Sequence, residues 1–285
     1  MNFRIRYKKL VPYKIRKIRS DIFFWGKMIP RWLLYSLSMN LIRQLIVKEK
    51  LSSIQIGAGA GSLDPIIKKD GFQNLLTKVH RKFLAKVHLY EPNPLNIKVL
   101  KKSWKSIESH VKIYQKGLSL KKEKLITFYM HPKDGPHYQV CSIDPYHVLK
   151  HFKDSDYEQL LTFESECIPI DSIIDNAIYK DNSQIFIAMD VEGIDYPAMK
   201  EIFNSSRIVN VAAISFESKH LSRIQYLELE KLAKKNNFTK AGLGVDPYFC
   251  DTLYVKRKYF FKNHTAFLIK ILDKIDYLWR EIILI

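Results

Sequence analysis

Short apolar runs and amphipathic stretches alternate along most of the chain. Five of the runs are short and carry few polar positions, which is typical of strands that are buried on both faces of a sheet. They lie at 52–57, 85–91, 111–117, 184–190 and 209–217. Segments with helical patterning separate several of them, and this alternation predicts an α/β domain with a mostly parallel sheet.

The end of the chain departs from this alternation. We expect a helix to begin near Ser222, because Ser222 and Gln225 have capping-box spacing. Residues 238–241 and 252–256 are two further candidate strands, and their short connection favours an antiparallel pair at one edge of the sheet. Apolar residues then recur at steps of three and four, which predicts a C-terminal amphipathic helix. They are Phe267, Ile271, Ile275, Leu278 and Ile282.

The basic charge is concentrated at the amino terminus. The net charge is +18, and residues 1–50 alone contain 13 Lys or Arg against two acidic residues. Lys27, Arg31 and Arg43 interrupt the apolar stretch at 22–47, which therefore predicts neither a membrane-spanning helix nor a cleaved signal peptide. Two interpretations stay open: an amphipathic helix on an anionic membrane surface, or a helix packed on the domain behind a solvated basic tail.

The chain therefore divides into three predicted parts. They are a basic and amphipathic arm at 1–50, an α/β domain at 51–262 and an amphipathic helix at 263–285. The three cysteines are too few and too irregularly spaced for a disulfide framework or a thiolate zinc site. We expect a cytoplasmic protein, with peripheral membrane contact through the arm as an open alternative.

Three alternating glycines follow the first predicted strand. In IQIGAGAG, Gly57, Gly59 and Gly61 allow a sharp turn and let a ligand approach the backbone. The next strand ends in LYEPNP, which places Glu91 at the carboxyl edge of the sheet, where an acidic side chain can accept both hydroxyls of a ribose. Because the spacing departs from the dinucleotide fingerprint GxGxxG/A, the favoured ligand is S-adenosylmethionine.

A third motif, FIAMDVEGIDYPAMK, places Asp190 at a strand end with Glu192 close behind it. Together with IQIGAGAG, LYEPNP and IPIDSIID, it resembles the FkbM-type methyltransferases, which use S-adenosylmethionine and are linked to O-methylation of sugars and natural products. The resemblance covers roughly residues 51–256. It implies a doubly wound, Rossmann-like class I methyltransferase fold, in which a seven-stranded sheet has an antiparallel edge pair. Helical extensions at both termini complete the predicted architecture.

The resemblance also implies roles for individual residues. It assigns the three glycines to the methionine-bearing part of the cofactor and Glu91 to its ribose. It places Asp190 and Glu192 in the reaction pocket, with Asp190 also facing the cofactor. Gln55 stands where relatives commonly have an acidic residue, and we expect it to orient the glycine loop by hydrogen bonds. Two further departures from the family pattern are Ala188 and Leu120.

Methyl transfer to oxygen needs alignment and a proton acceptor. The sulfonium methyl group is already electrophilic, so the protein must chiefly align acceptor oxygen, methyl carbon and sulfur. A hydroxyl acceptor must also lose its proton, and a general base typically contributes about 10² to 10⁴ in rate. The candidate bases are Asp190, Glu192 and His220, which follows Glu217 by three residues. The competing interpretation of both acidic candidates is structural, as a loop brace or a helix cap.

The segment at 129–168 is the predicted acceptor-binding insertion, since loops at the carboxyl edge vary while a cofactor core stays fixed. Tyr138 in this segment is a candidate for stacking on a sugar ring. His147 and His151 have the i, i+4 spacing of a metal pair, but no HExxH context accompanies them. We therefore expect a solvated helix face there and no metal site.

The predicted reaction is methyl transfer from S-adenosylmethionine to a hydroxyl of a carbohydrate, a glycan or a related small molecule. A nucleic-acid methyltransferase would suit the basic charge, but amino-group methylation of bases usually involves an NPPY-like segment where this chain has DVEG. That difference argues against nucleic acid as a partner. A catalytically inactive, membrane-associated scaffold is the other alternative, and it rests on Gln55, Ala188 and the basic arm.

Overall fold

A computed structural model describes most of the chain. The described residues are 13–61, 70–79, 81–121, 123–135, 139–152, 155–178 and 183–283, with side chains left out for 13–27 and 279–283. Some parts of the predictions lie outside the described residues. They are residues 1–12, Tyr138, residues 284–285 and the side chain of Ile282.

Helices and strands alternate as expected. In the described part of the chain the α-helices are α1 (Tyr13–Glu49), α2 (Gly71–Thr77), α3 (Pro94–Ser103), α4 (Pro145–His151), α5 (Ile170–Asp175), α6 (Asp195–Asn204), α7 (Arg223–Lys235), α8 (Arg257–Phe260) and α9 (Ala266–Ile283). The strands are β1 (Ser52–Ile56), β2 (Val87–Tyr90), β3 (Val111–Tyr114), β4 (Gly117–Leu118), β5 (Leu125–Met130), β6 (Leu161–Ile168), β7 (Ile185–Met189), β8 (Val211–Glu217), β9 (Phe238–Leu243) and β10 (Asp251–Lys256).

The main sheet has seven strands in the order β3-β2-β1-β7-β8-β10-β9. Strand β1 pairs in parallel with β2 and β7, and β7 pairs in parallel with β8. Strand β10 runs antiparallel to both β8 and β9. The predicted seven-stranded, mostly parallel sheet with an antiparallel edge is therefore confirmed. The strand order reverses between β1 and β7, and ligands bind α/β sheets at the carboxyl ends of strands flanking such a switch point.

The two faces of this sheet carry separate apolar cores. Along β7, Phe186 and Ala188 pack in one cluster, while Ile185, Ile187 and Met189 pack in the other. The first core is completed by residues of α1, α2, α3 and α9, and the second by residues of α5, α6 and α7. Because successive side chains of a strand point to opposite faces, a strand covered on both sides is apolar at most of its positions.

A second, three-stranded sheet with the order β4-β6-β5 is absent from the predictions. Strands β5 and β6 are antiparallel, and β4 adds to β6 in parallel. Strand β6 mixes polar and apolar residues and so lacks the apolar signal of the main sheet, whereas β5 has an apolar sequence although several of its positions are exposed. The described residues of the segment at 129–168 therefore contribute strands and a short helix beside the main sheet.

Helix α1 packs against the domain over its second half. Leu34, Leu41 and Ile46 are fully buried in the first core, and the Tyr35 hydroxyl donates a hydrogen bond of 3.2 Å to the carbonyl of Val245. Of the two interpretations left open for the arm, packing is what the structure shows for this half. None of the helices that the structure describes is both long and apolar enough to span a bilayer.

Helix α9 packs with a face other than its most regular apolar stripe. Ala266, Ile269 and Leu272 are buried, whereas Phe267 and Leu278 of the stripe are 75% and 50% exposed. The helix lies beside α1, since Arg31 forms an ion pair of 3.0 Å with Asp276 of α9 and Asn263 donates a hydrogen bond of 2.9 Å to Gln44. The sequence pattern thus indicated the helix but not the face that it buries.

Candidate active site

A cavity of about 420 Å³ opens at the carboxyl ends of β1, β2, β7 and β8. This volume lies within the usual range of small-molecule sites, roughly 300 to 1,000 Å³. The structure brings all of the predicted site residues to this one cavity. They are Gln55, Gly57, Gly59, Gly61, Glu91, Asp190, Glu192 and His220.

The glycine loop after β1 adopts the left-handed backbone that its sequence allows. Gly57 has a φ of +78°, and a Cβ there would lie 1.8 Å from the carbonyl oxygen of Asp190. Gly59 has a φ of +53° but open space around the position of its missing Cβ. Gly57 is thus required by the close approach of the chain after β7, and Gly59 only by its backbone angle.

Glu91 is buried and fastens the glycine loop to the end of β2. Its Oε2 accepts a hydrogen bond of 2.7 Å from the amide of Gly59, and its Oε1 accepts one of 2.9 Å from the amide of Asn93. Asn96 donates a third hydrogen bond, of 3.3 Å, to Oε1. Burial raises the pKa of this carboxyl group above its ordinary value. Its predicted contact with a ribose stays a prediction, since a ribose hydroxyl would have to share or replace the Gly59 hydrogen bond.

Gln55 and Asp70 form a pair at the same end of the cavity. The Nε2 of Gln55 donates a hydrogen bond of 3.1 Å to Asp70, whose other oxygen caps α2 by accepting one of 2.8 Å from the amide of Gln73. The Oε1 of Gln55 is buried and has no hydrogen-bond partner among the described residues. Asp70 also lines the cavity, and burial raises the pKa of its carboxyl group.

Asp70 supplies the acidic group that the sequence lacks at Gln55. It was missed because it lies 15 residues further along the chain, beyond the glycine loop. The only local signal was its cap-like position, since Asp70 and Gln73 have the spacing of a capping pair before α2. The cap of α2 therefore places a carboxyl group beside Gln55.

Carboxylates crowd together at the opposite end of the cavity. Ligand oxygens of Asp190, Glu192 and Glu217 all lie within 4.8 Å of one another. Loss of hydration and the charge of Glu192 raise the pKa of Asp190 well above its ordinary value, although its side chain opens to the cavity. The same two causes raise the pKa of Glu217 to about 7. Asp190 and Glu217 therefore hold protons more readily than ordinary surface carboxylates do.

Glu192 faces a histidine from the insertion. Its Oε2 lies 2.9 Å from Nε2 of His147, and its backbone has a φ of +38°, which is uncommon for a residue other than glycine. The hydroxyl of Ser142 donates a hydrogen bond of 2.6 Å to the Glu192 carbonyl. No side chain caps α6, so the structural interpretation of Glu192 as its cap does not hold.

Three histidines meet at this end of the cavity. The ring centroid of His147 lies 5.1 Å from that of His151 and 5.8 Å from that of His220. Desolvation lowers the pKa of His151 and of His220. His147 is buried, so the expectation of a solvated helix face is wrong for this residue.

The histidine cluster could not be read from the sequence as a unit, because α4 folds back from the insertion over the ends of β7 and β8. The i, i+4 spacing of His147 and His151 was the one available signal. Residues of the same insertion, including Cys141 and Ser142, line the cavity, and mutual backbone hydrogen bonds between Ser142 and Tyr129 fix their path. The insertion thus supplies one wall of the site.

Comparison with known proteins matches this chain to methyltransferases. A sequence model described as the methyltransferase FkbM domain matches residues 55–271. Among solved structures, a methyltransferase FkbM from Methylobacillus flagellatus KT is 17% identical with a TM-score of 0.42, and the match covers 72% of this chain but 43% of that protein. The present chain therefore spans less than half the length of that relative.

More distant matches are also methyltransferases. A putative RNA methyltransferase from Pyrococcus horikoshii is 10% identical with a TM-score of 0.37, covering 78% of this chain and 81% of that one. A human methyltransferase 10 domain containing protein is 11% identical with a TM-score of 0.39, covering 78% and 80%. No curated protein sequence matches this chain.

Proposed function

Because the chain belongs to the FkbM methyltransferase family, we propose that it transfers a methyl group from S-adenosylmethionine to a hydroxyl oxygen of a carbohydrate, a glycan or a related small molecule. One observation carries the proposal: a glycine loop fastened by Glu91 and a cluster of proton acceptors around Asp190 line the same cavity. A methyl donor bound at the glycine loop and a hydroxyl bound at the proton acceptors would then lie next to each other in this cavity.

The residues at the β1–β2 end fit the cofactor. The buried, unpartnered Oε1 of Gln55 is an acceptor for the ammonium group of its methionine part, and Asp70 beside it adds negative charge. Gly59 leaves open space where a side chain would stand, so the backbone can lie against the ligand. Glu91 remains the residue for the ribose hydroxyls. The cofactor, when bound, supplies an electrophilic methyl group.

The residues at the β7–β8 end fit a hydroxyl acceptor. A hydroxyl must lose its proton as the new carbon–oxygen bond forms, and a positioned carboxylate or imidazole takes that proton. Asp190 is the first candidate, since it follows β7 directly beside Gly57 and opens to the cavity. Glu192 and His220 are the alternatives predicted from the sequence, and Glu217 joins them from the structure.

A labelling experiment tests the reaction. The full chain is incubated with methyl-labelled cofactor and a lysate of its source cells, and the label is followed into glycan, small-molecule, lipid, protein and nucleic-acid fractions. Label in the glycan or small-molecule fraction supports the proposal. Label in RNA or DNA would contradict the acceptor class. No transfer into any fraction would contradict the enzymatic activity itself and favour the scaffold.

A substitution at Asp190 tests the proton acceptor. We expect Asp190→Asn to bind the cofactor but to lose about a hundredfold or more in kcat, because a general base acts only in the chemical step. The matched control is Asp156→Asn, which changes an exposed carboxylate outside the cavity. If turnover were unchanged in Asp190→Asn, Glu192→Gln, His220→Ala and Glu217→Gln alike, no side chain would act as the base, and alignment of the reactants would be the whole mechanism.

We also propose that residues 1–50 contact an anionic membrane surface. Helix α1 exposes Ile29, Trp32 and Leu33, and this region carries 13 basic against two acidic residues. Apolar side chains and adjacent basic charge are what such surfaces bind. The second half of α1 is held in the core, so the contact falls to the residues before Leu34.

Vesicle co-sedimentation tests this contact. The full chain should pellet with anionic vesicles at low salt, less at high salt, and less again as the double variant Trp32→Ser and Leu33→Ser. Val209→Ser is the control. It removes an apolar side chain about as exposed as Trp32, but Val209 lies just before the amino end of β8, outside α1. Equal pelleting of the double variant and the control would contradict the proposal.

A further inference from the structure

The histidine-rich end of the cavity has the composition and spacing of a metal site. His147, His151 and Glu192 each offer one ligand atom, and these three atoms lie within 4.8 Å of one another. We propose that they bind a divalent first-row transition-metal ion. The sequence alone predicted no metal, because it could not show that Glu192 meets the two histidines.

The three ligands come from two rigid parts of the fold. His147 and His151 lie one turn apart on α4, so both rings point to the same side of the helix. Glu192 stands on the loop between β7 and α6, where the Ser142 hydroxyl holds its carbonyl. The distance of 2.9 Å between His147 and Glu192 is already shorter than the separation of about 3.3 Å between ligands of a tetrahedral ion with bonds near 2.0 Å. To complete the set, His147 and Glu192 must separate slightly and the exposed side chain of His151 must approach them.

The backbone around Glu192 is shaped to admit the buried imidazole. Gly193 has a φ of +93°, and a Cβ at this position would lie 2.7 Å from two ring atoms of His147. Glu192 itself adopts a φ of +38°. Residues other than glycine take such angles at a cost of roughly 1 kcal/mol or more, and they do so most often at functional sites. The loop thus brings the carboxylate to the ring at a conformational cost.

The donor set selects the kind of ion. Two imidazoles with one carboxylate suit zinc, iron(II), cobalt(II) or manganese, whereas magnesium and calcium prefer sites made of oxygen alone. The set leaves coordination positions free on the side of the cavity. There the ion would hold oxygen atoms of an acceptor and orient its hydroxyl toward the methyl donor. This role rests on the proposed function, but binding of the ion does not.

Metal titration of the full chain tests the site without cofactor or acceptor. Protein freed of metal by a chelator is titrated with Zn²⁺ by calorimetry and with Co²⁺ by visible absorption. We expect one saturable ion with the spectrum of nitrogen and oxygen ligands. His151→Ala and Glu192→Gln should each weaken binding at least by the roughly 10-fold that loss of even an outer-sphere partner costs. Because no methyl transfer is measured, failure of the proposed reaction would leave this result unaffected.

His110→Ala is the matched control, since His110 directly precedes β3 at the end of the sheet away from the cavity. It should bind both ions as the unaltered chain does. The absence of a saturable ion would overturn the proposal, and so would affinities that His151→Ala and Glu192→Gln leave unchanged. Charge-transfer absorption from a thiolate to Co²⁺ would also overturn it, because it would place the ion on a cysteine such as Cys141.

Discussion

The two ends of the cavity hold their charged groups in opposite ways. At the β1–β2 end, the carboxylates of Glu91 and Asp70 each accept hydrogen bonds from backbone amides and from a side-chain amide. At the β7–β8 end, the carboxylates of Asp190, Glu192 and Glu217 face one another and a group of histidines. At the β1–β2 end, hydrogen bonds from the protein's own amides therefore stabilise the carboxylates. The β7–β8 end concentrates like charges that a ligand would relieve.

This difference matches what each end has to do in the proposed reaction. A cofactor is the same in every turnover, so fixed donors and a fixed backbone bind it at little conformational cost. A proton acceptor must change its protonation state, and neighbouring carboxylates raise its pKa toward neutrality.

The largest effect is expected at Gly57. A methyl group there would meet the Asp190 carbonyl at 1.8 Å in a left-handed conformation, so Gly57→Ala should lower the free energy of unfolding by about 3 kcal/mol and abolish cofactor binding. Gly59→Ala, with a similar φ and no neighbour, should lower it by only about 1 kcal/mol. Urea unfolding and calorimetric titration measure the stability and the cofactor affinity of both variants. Equal losses in the two variants would show that the close approach of Asp190 does not require glycine at position 57.

A smaller effect is expected at Asp70. Asp70→Asn keeps an acceptor for the Gln73 amide and so retains the cap of α2, but it removes the negative charge beside Gln55. Cofactor affinity should therefore fall by about tenfold while stability changes by less than about 0.5 kcal/mol. Calorimetry and urea unfolding separate the two. A loss of stability without a loss of affinity would reduce Asp70 to a helix cap.

Low pH should reduce the stability of the fold through His88 on β2. Burial, together with nearby Lys112, lowers the pKa of His88 to about 4, so its unfolded form binds a proton first as the pH falls. Stability should thus decline from about pH 6.5 toward pH 4, by at most about 1.4 kcal/mol per pH unit for one proton. His88→Leu should flatten this decline in urea unfolding. An identical slope in the variant would show that His88 is not responsible.

The carboxylate Asp251, close to the acidic end, should act with the opposite sign. Burial, then the charge of Asp246, raises its pKa to about 7, so the folded protein holds this proton more tightly than the unfolded chain does. Its contribution to stability is present at low pH and is lost as the pH rises through 7. Asp251→Asn should therefore make stability less sensitive to pH between about 4 and 7. A steeper dependence in the variant would contradict the assignment.

The fold was largely predictable because its main strands are buried on both faces. Continuous apolar runs marked β1, β2, β7 and β8, and the capping box at Ser222 marked α7, which the structure reproduces. Strand β6 was missed because polar residues, among them the exposed Glu164 and Glu166, interrupt its apolar run. Strand β5 was missed although its sequence, LITFYM, is apolar. The packed face of α9 was missed because its neighbours on α1 decide which residues are covered.

The site was predictable only where a motif follows a strand. Gly57, Glu91 and Asp190 could be placed together, because parallel strands bring their carboxyl ends to one edge. The pairs Gln55–Asp70 and His147–Glu192 could not be predicted. Their partners are 15 and 45 residues apart, respectively, and loops of irregular geometry bring them together. The sequence therefore predicted that the insertion at 129–168 lines the site, but it did not predict which of its residues contact Glu192.

Titration of the full chain with S-adenosylmethionine tests the central claim most directly. The unaltered chain and His220→Ala should bind it equally, because His220 lies at the acceptor end. Glu91→Ala should bind it about ten- to a hundredfold more weakly, the range for hydrogen bonds to a charged group. Uptake of NAD in place of S-adenosylmethionine, or a loss of affinity in His220→Ala as large as that in Glu91→Ala, would contradict a cavity with separate cofactor and acceptor ends.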